Sequence, residues 1–199
     1  RTRRIELGLM ALSDTTWVVS GAEQALLAQE LPEAKVDVLS NIHDVHGPGQ
    51  AWAERRDLLF VGGYRHPPNV DAALWMATDI LPLVRARLPD VVLHVVGADA
   101  PPEVLALAGL PGVKLHGFVP DLTPLLEGAR VGVAPLRYGA GVKGKVNQSL
   151  AHGQPMVATR CAVEGMHLAD GVDVLVADDT EAFAAAVVRL YEDRALWET

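Results

Sequence analysis

The sequence predicts an α/β protein, a Rossmann-like parallel sheet with helices on both faces. Two observations predict it. Short apolar runs, such as Leu58-Leu59-Phe60-Val61 and the run from Val91 to Val96, recur along the chain, as strands buried on both faces require. Longer stretches with helical spacing of apolar residues lie between them, so strand and helix alternate. A third observation locates function. Of the four loops expected after these strands, at 62–66, 97–99, 117–120 and 136–145, three open with a glycine. In parallel sheets of this kind ligands bind at the carboxyl ends of the strands, near the point where the strand order reverses.

Taken in order, residues 16–19 read as a short strand. Ser20 follows, placed to cap a helix over 22–30 because its hydroxyl can accept from an orphan N–H. Residues 35–39 alternate apolar and polar as a strand does, and Gly47-Pro48-Gly49 marks a loop or linker within 41–50. A strand is expected at 58–61, then a helix over 70–88 with a kink at Pro82, whose ring and missing N–H disturb the preceding turn. The remaining expectations are strands at 91–96, 113–116, 131–134, 156–159 and 174–176. Helices alternate with them at 102–108, 122–127, 142–151 and 180–191.

Composition narrows the function classes. Of the 199 residues half are hydrophobic and 21% charged, which suits a domain able to bury a core. A formal charge of −8 argues against nucleic acid, whose phosphates are gripped by clustered Lys and Arg. The basic cluster Arg1, Arg3 and Arg4 reads as a solvated terminus. The single cysteine, Cys161, excludes an internal disulfide and a cysteine zinc cage, and points to a reducing cytoplasm. No apolar run is long enough for a transmembrane segment.

Gly139-Ala140-Gly141-Val142-Lys143-Gly144 matches G-x-G-x-x-G after a strand and before a helix, so an NAD(P)-binding Rossmann reading must be weighed. Arg160 even stands about where a residue recognising a ribose 2′-phosphate would. Three features weigh against this reading. Several strand–helix units precede the motif, Leu136, Arg137 and Tyr138 separate it from its strand, and Lys145 follows the last glycine. The physical content of the loop is independent of that choice. A helix starting near Val142 offers unpaired N–H groups and the positive end of its dipole. Lys143 and Lys145 in its first turn are unfavourable there unless an anion joins them, and a pyrophosphate would do so. The spacing alone equally allows both lysines to splay into water.

The residues also carry a resemblance. Phe60-Val61-Gly62-Gly63 with Pro68-Asn69-Val70-Asp71-Ala72 resembles the opening of the C-terminal domain in family-4 retaining glycosyltransferases of the GT-B fold (glycosyl transferases group 1). So does the stretch from Val113 to Asp121. The most specific match runs from Gly139 to Thr159, which resembles that family's loop, Lys-x-x-Glu-Ala helix and Gly-x-Pro-Val-Val-Ala-Thr strand. Glu164-Gly165 and Asp170-Gly171 also fit.

The resemblance implies that residues 1–50 are a remnant of an N-terminal acceptor domain with its linker, and that 51–199 form a C-terminal nucleotide-sugar-binding domain. It implies a bacterial-type enzyme that moves a sugar from a nucleotide-diphosphate sugar to a carbohydrate, lipid or other hydroxyl acceptor with retention. No cofactor and no metal is expected. The fragment alone is expected to turn over no acceptor, and any peripheral membrane contact is left to the missing domain.

On this resemblance Lys145, and secondarily Arg65, would stabilise the leaving diphosphate, which preorganised charge and N–H dipoles can do without a metal. Gly62, Gly63, Gly139, Gly141, Val142 and Lys143 would line the diphosphate site, and Gly97 would belong to the nucleotide-sugar site at large. Gly117, Phe118 and Val119 would meet the base, and Gln148 the ribose. One departure stands out: Ala140 and Gln148 occupy the positions of two glutamates that family members commonly carry. Glutamine keeps an acceptor for a hydroxyl but no charge. That loss motivates a second reading, a non-catalytic nucleotide-sugar-binding module. An epimerase of similar fold would need acid/base residues that the sequence does not offer.

The other candidates have plainer readings. His43, His46 and His66 lack metal-ligand spacing. Cys161 reads as a buried structural thiol. Trp75 and Met76 belong to a core face, and Trp197 to the docking of the last helix.

Overall fold

A computed structural model describes residues 2–199, which form two compact units. Arg1, part of the basic cluster, lies outside the described residues. The first unit comprises the chain up to Ile42 together with 140–142 and 164–167. It holds α1 (Thr2–Ala11), β1 (Thr16–Val18), α2 (Gly21–Glu30) and β2 (Val36–Val38). The two strands pair in parallel, with Thr16 opposite Val36. Ser20 caps α2 as expected, its Oγ accepting from the Glu23 N–H at 3.3 Å, while the Glu23 carboxylate accepts from the Val19 N–H at 3.1 Å. Helix α1 was not expected. Its Arg3 forms an ion pair with Glu30 of α2, an exposed contact of small energetic weight.

The second unit comprises His43–Gly139, Lys143–Val163 and Leu168–Thr199. Its elements are β3 (Arg56–Val61), α3 (Pro67–Trp75), α4 (Leu81–Arg85), β4 (Leu93–Val96), α5 (Pro102–Leu105), β5 (Val113–Gly117), α6 (Thr123–Gly128), β6 (Ala129–Ala134), α7 (Gly144–Ala151), β7 (Met156–Ala158), α8 (Arg160–Val163), β8 (Leu175–Val176), α9 (Thr180–Glu192) and α10 (Arg194–Trp197). The strands form one parallel sheet in the order β5-β4-β3-β6-β7-β8. Leu58, Leu59 and Phe60 on β3 are all buried, as are Val131, Val133 and Ala134 on β6. Burial of consecutive residues means that both faces of the sheet are covered, as the sequence predicts.

Three expectations are corrected. The helix expected at 70–88 begins at Pro67, because Pro67 and Pro68 occupy first-turn positions that need no N–H donor. The disturbance before Pro82 is a π turn over Met76–Ile80, closed by the Leu81 N–H on the Met76 carbonyl. One residue is thereby absorbed ahead of a proline that cannot donate. The helix expected from Val142 begins at Gly144, since Gly141 has φ +76° and Lys143 is still extended. Helices α8 and α10 had no strong apolar period to announce them. Each rests on a side-chain cap, with Thr159 Oγ1 accepting from the Ala162 N–H and Asp193 from the Leu196 N–H.

The linker around Pro48 is tied down by Arg55, a fully buried arginine. Its guanidinium donates to the carbonyls of Pro48, Gln50, Leu126 and His152 at 2.7–2.9 Å and stacks over Trp197. Trp197 docks as expected, donating to the Arg130 carbonyl at 2.7 Å. Trp75 and Met76 are buried in the core. No helix among the described residues is long and apolar enough to cross a membrane.

Candidate functional site

The strand order of the second unit reverses between β3 and β6, so the carboxyl ends of these two strands flank the crevice where ligands bind in such sheets. The loop after β3 opens with Gly62 and Gly63, and the loop after β6 leads through Gly139 to α7. These are two of the four loops that the sequence singles out.

The glycines after the strands have different physical roles. A Cβ on Gly97 would lie 1.8 Å from the Gly62 carbonyl oxygen, so the loops after β3 and β4 can abut only because residue 97 has none. Gly62 donates to the Val96 carbonyl and Gly97 to the Gly117 carbonyl, which joins the three strand ends. Gly63 and Gly117 face open space. Phe118 is exposed, and Val119 packs partly against the cluster of Leu59, Val96, Leu126 and Ala129. Gly139 has φ +135°, a conformation that glycine adopts readily. Its carbonyl accepts from Lys143 Nζ at 3.4 Å and faces the Cys161 thiol at 3.6 Å. Cys161 is half-buried rather than buried. Gly141 and the half-buried Val142 lie in the stretch that groups with the first unit.

The two lysines divide. Lys143 occupies the N-cap position of α7 without a side-chain cap bond. Lys145, in the first turn of α7, turns inward. Its ammonium donates to Asn69 Oδ1 at 2.6 Å and lies 4.6 Å from the centroid of the Phe60 ring. The residue is half-buried. Burial, with a smaller push from Lys143, lowers its pKa to about 7. The open alternative in which both lysines splay into water therefore fails for Lys145. Holding the charge there costs free energy that an anion would return.

The other predicted residues are less engaged. Arg65 is exposed and paired with Asp99 at 2.8 Å. Gln148 is half-buried, three residues along α7 from Lys145. Among the described residues no three His, Cys, Asp or Glu side chains gather to hold a metal. His46 instead stacks on His152, with ring centroids 4.0 Å apart. A cavity of about 670 Å³ opens elsewhere, at the starts of β7 and β8, lined by Trp52, Pro155, Met156, Leu196 and Trp197 among others. The sequence reading missed Asn69. The residue is nearly buried, and its Nδ2 donates to the Gly63 carbonyl at 2.8 Å. It stands 76 residues from Lys145, so no local spacing announces the pair.

Residues 55–193 match the family model described as glycosyl transferases group 1. The chain belongs to that family. As a group 1 glycosyl transferase it is 33% identical over 149 residues to a phosphatidyl-myo-inositol mannosyltransferase of Mycolicibacterium smegmatis, a match covering 72% of this chain and 38% of the relative. It is 24% identical over 140 residues to an uncharacterized 44.6 kDa protein of the cps region of Klebsiella pneumoniae, covering 66% of this chain and 36% of that protein. The chain thus spans less than two fifths of the length of the curated relatives it matches. Among solved structures, a TarM variant of S. aureus in complex with Fondaparinux, alpha-GlcNAc-glycerol and UDP superposes with a TM-score of 0.83. The identity is 13%, and the match covers 99% of this chain and 41% of that one. The HepE protein of Anabaena in complex with UDP and glucose gives 0.74 at 16% identity, over 98% and 59% of the two chains. At such identities these likenesses speak for the fold alone, and they agree that this group 1 glycosyl transferase carries the Rossmann-like half of a GT-B architecture.

Proposed function

We propose that the second unit binds the diphosphate of a nucleotide-sugar donor, and that the whole protein transfers the sugar to an acceptor hydroxyl with retention. The observation that carries this reading is the Lys145 ammonium. It is turned inward at the switch point between β3 and β6, held by one neutral acceptor and one aromatic face. Among the described residues no carboxylate pairs with it, and the natural complement of a partly desolvated cation held only by neutral groups is an anion. As the sugar–phosphate bond breaks, negative charge grows on the leaving diphosphate, and a fixed ammonium stabilises that charge without reorganising.

Gly63 offers an open approach on the same side as Asn69, and Gln148 can accept from a ribose hydroxyl. Phe118 offers an exposed ring for a base. Arg65 would join the diphosphate only by leaving Asp99. The dinucleotide reading is disfavoured by topology. The glycine-rich loop follows β6, the fourth strand of the six-stranded sheet in chain order, whereas the dinucleotide fingerprint sits after the first. Retention and the place of residues 1–50 in an acceptor domain rest on the family resemblance. The solved relatives crystallised with UDP support a nucleotide donor.

Calorimetric titration of the chain with UDP, GDP and NAD(P) tests the reading. A nucleoside diphosphate is expected to bind and NAD(P) is not. Lys145→Ala is expected to cost tenfold or more in affinity, about the worth of a charge-assisted hydrogen bond. Lys143→Ala should cost no more than about threefold, since Lys143 sits at the N-cap of α7 rather than against Asn69 and the Phe60 ring. Equal losses for the two variants would remove the assignment of roles.

A further inference from the structure

We infer that Asn69 is the positioning residue of this site, the group that aims the Lys145 ammonium and fixes the Gly63 carbonyl beside it. The inference rests on the reading of Lys145 as the diphosphate partner. Asn69 lies in the first turn of α3 and is 9% exposed. Both ends of its carboxamide are committed, Nδ2 to the Gly63 carbonyl at 2.8 Å and Oδ1 to Lys145 Nζ at 2.6 Å.

Chemistry fixes the orientation of the amide. A carbonyl only accepts and an ammonium only donates, so the reversed carboxamide would set oxygen against oxygen and NH₂ against NH₃⁺. Local packing makes room for it. A Cβ on Gly62 would lie 2.9 Å from Asn69 Cγ, so a larger residue at 62 would displace the Asn69 side chain.

The amide suits this place where the other short polar side chains do not. A carboxylate would cancel the ammonium charge and present an oxygen to the Gly63 carbonyl. A serine or threonine hydroxyl has a single proton, which could serve Gly63 but would hold the ammonium less firmly. The neutral amide holds Lys145 in one direction and, where the lysine is protonated, leaves its charge uncancelled to act outward. An ammonium has three N–H bonds. One goes to Asn69 and the Phe60 ring takes a second direction, so the third is left for a diphosphate oxygen. Lys143 is the charged neighbour that acts on this ammonium, and it does so from the preceding loop by repulsion.

The test is a double-mutant cycle on the 199-residue chain, with UDP as the probe and calorimetry as the readout. NMR of lysine-labelled protein follows the Lys145 titration, and thermal melts control for folding. Asn69→Ala is expected to weaken UDP binding about tenfold in the wild-type background and by less than about twofold in a Lys145→Ala background, because the two residues act as one unit. Asn69→Asp, nearly isosteric, is expected to move the Lys145 titration to higher pH while also weakening UDP. A merely structural role would not make the loss from Asn69→Ala depend on the presence of Lys145. Equal losses from Asn69→Ala in both backgrounds, or an unmoved lysine titration in Asn69→Asp, overturns the inference while the donor-site reading stands. If Lys145→Ala leaves UDP affinity unchanged, the donor-site reading falls and takes the inference with it.

Discussion

Lys145 shows how a single residue can be legible in type but not in place. Its position after a glycine-rich loop announces a cation near a helix start. That it turns inward, onto Asn69 and the Phe60 ring, depends on contacts 76 and 85 residues distant in sequence, which no local pattern encodes. Its depressed pKa has two consequences with definite signs. On the donor-site reading a diphosphate needs the ammonium, so UDP affinity should be highest between about pH 6 and 7 and fall by up to tenfold per unit as pH rises through about 7. The nucleotide's terminal phosphate loses its last proton near 6, so above about 7 it gains little further charge and the fall reports the lysine. In the unfolded chain the same lysine titrates near its ordinary value of 10.5. Between about 7 and 10.5 the unfolded state therefore binds more protons, and this residue makes stability rise with pH across that window. Urea unfolding at several pH values, compared with Lys145→Met, checks the second point. The variant should lose the rise, and a wild-type curve parallel to the variant's would refute the burial of the charge.

Among the elements, strands were the most legible and helix starts the least. Runs such as Leu58 to Val61 are apolar at every position, which both-face burial demands, whereas Val142 and Lys143 look helical and are held out of the helix by the positive φ of Gly141. Pro82 was legible as a disturbance, but the form it takes, a π turn, depends on packing of the buried Met76 and Ile80. The glycines closing the strands were legible as a set, while their division of labour was not. Gly97 serves a close backbone approach and Gly63 faces open space. Gly97→Ala should therefore force the ends of β3 and β4 apart, destabilise the unit by about 2 kcal/mol or more through overpacking, and abolish UDP binding. Gly63→Ala should stay within about 1 kcal/mol of wild type. Denaturant titration of the two variants decides it, and similar destabilisation by both would show that the strand-end contact does not matter.

At the scale of the whole second unit, the order β5-β4-β3-β6-β7-β8 places the candidate site. It brings the loop after the first strand beside the loop after the fourth. The sequence announced this architecture through alternation and glycines, but not the polar joint that fastens the chain at the amino ends of the strands. Arg55 reads as one more charge before an apolar run, and in the structure it is fully buried. It gathers the Pro48 and Gln50 carbonyls of the linker, the Leu126 carbonyl of α6 and the His152 carbonyl that ends α7. Four charge-assisted bonds from one rigid fork offset the desolvation of the cation, and each carbonyl would otherwise be left short of a partner. Arg55→Ala is accordingly expected to destabilise the unit by about 3–5 kcal/mol, in line with breaking a buried charged network. Arg55→Lys should recover only part of that loss, because an ammonium on a flexible stem cannot reproduce the planar fork. Urea unfolding followed by tryptophan fluorescence measures both. Full recovery by lysine would show that charge alone holds the joint, and a neutral alanine variant would show that the linker is held by other contacts.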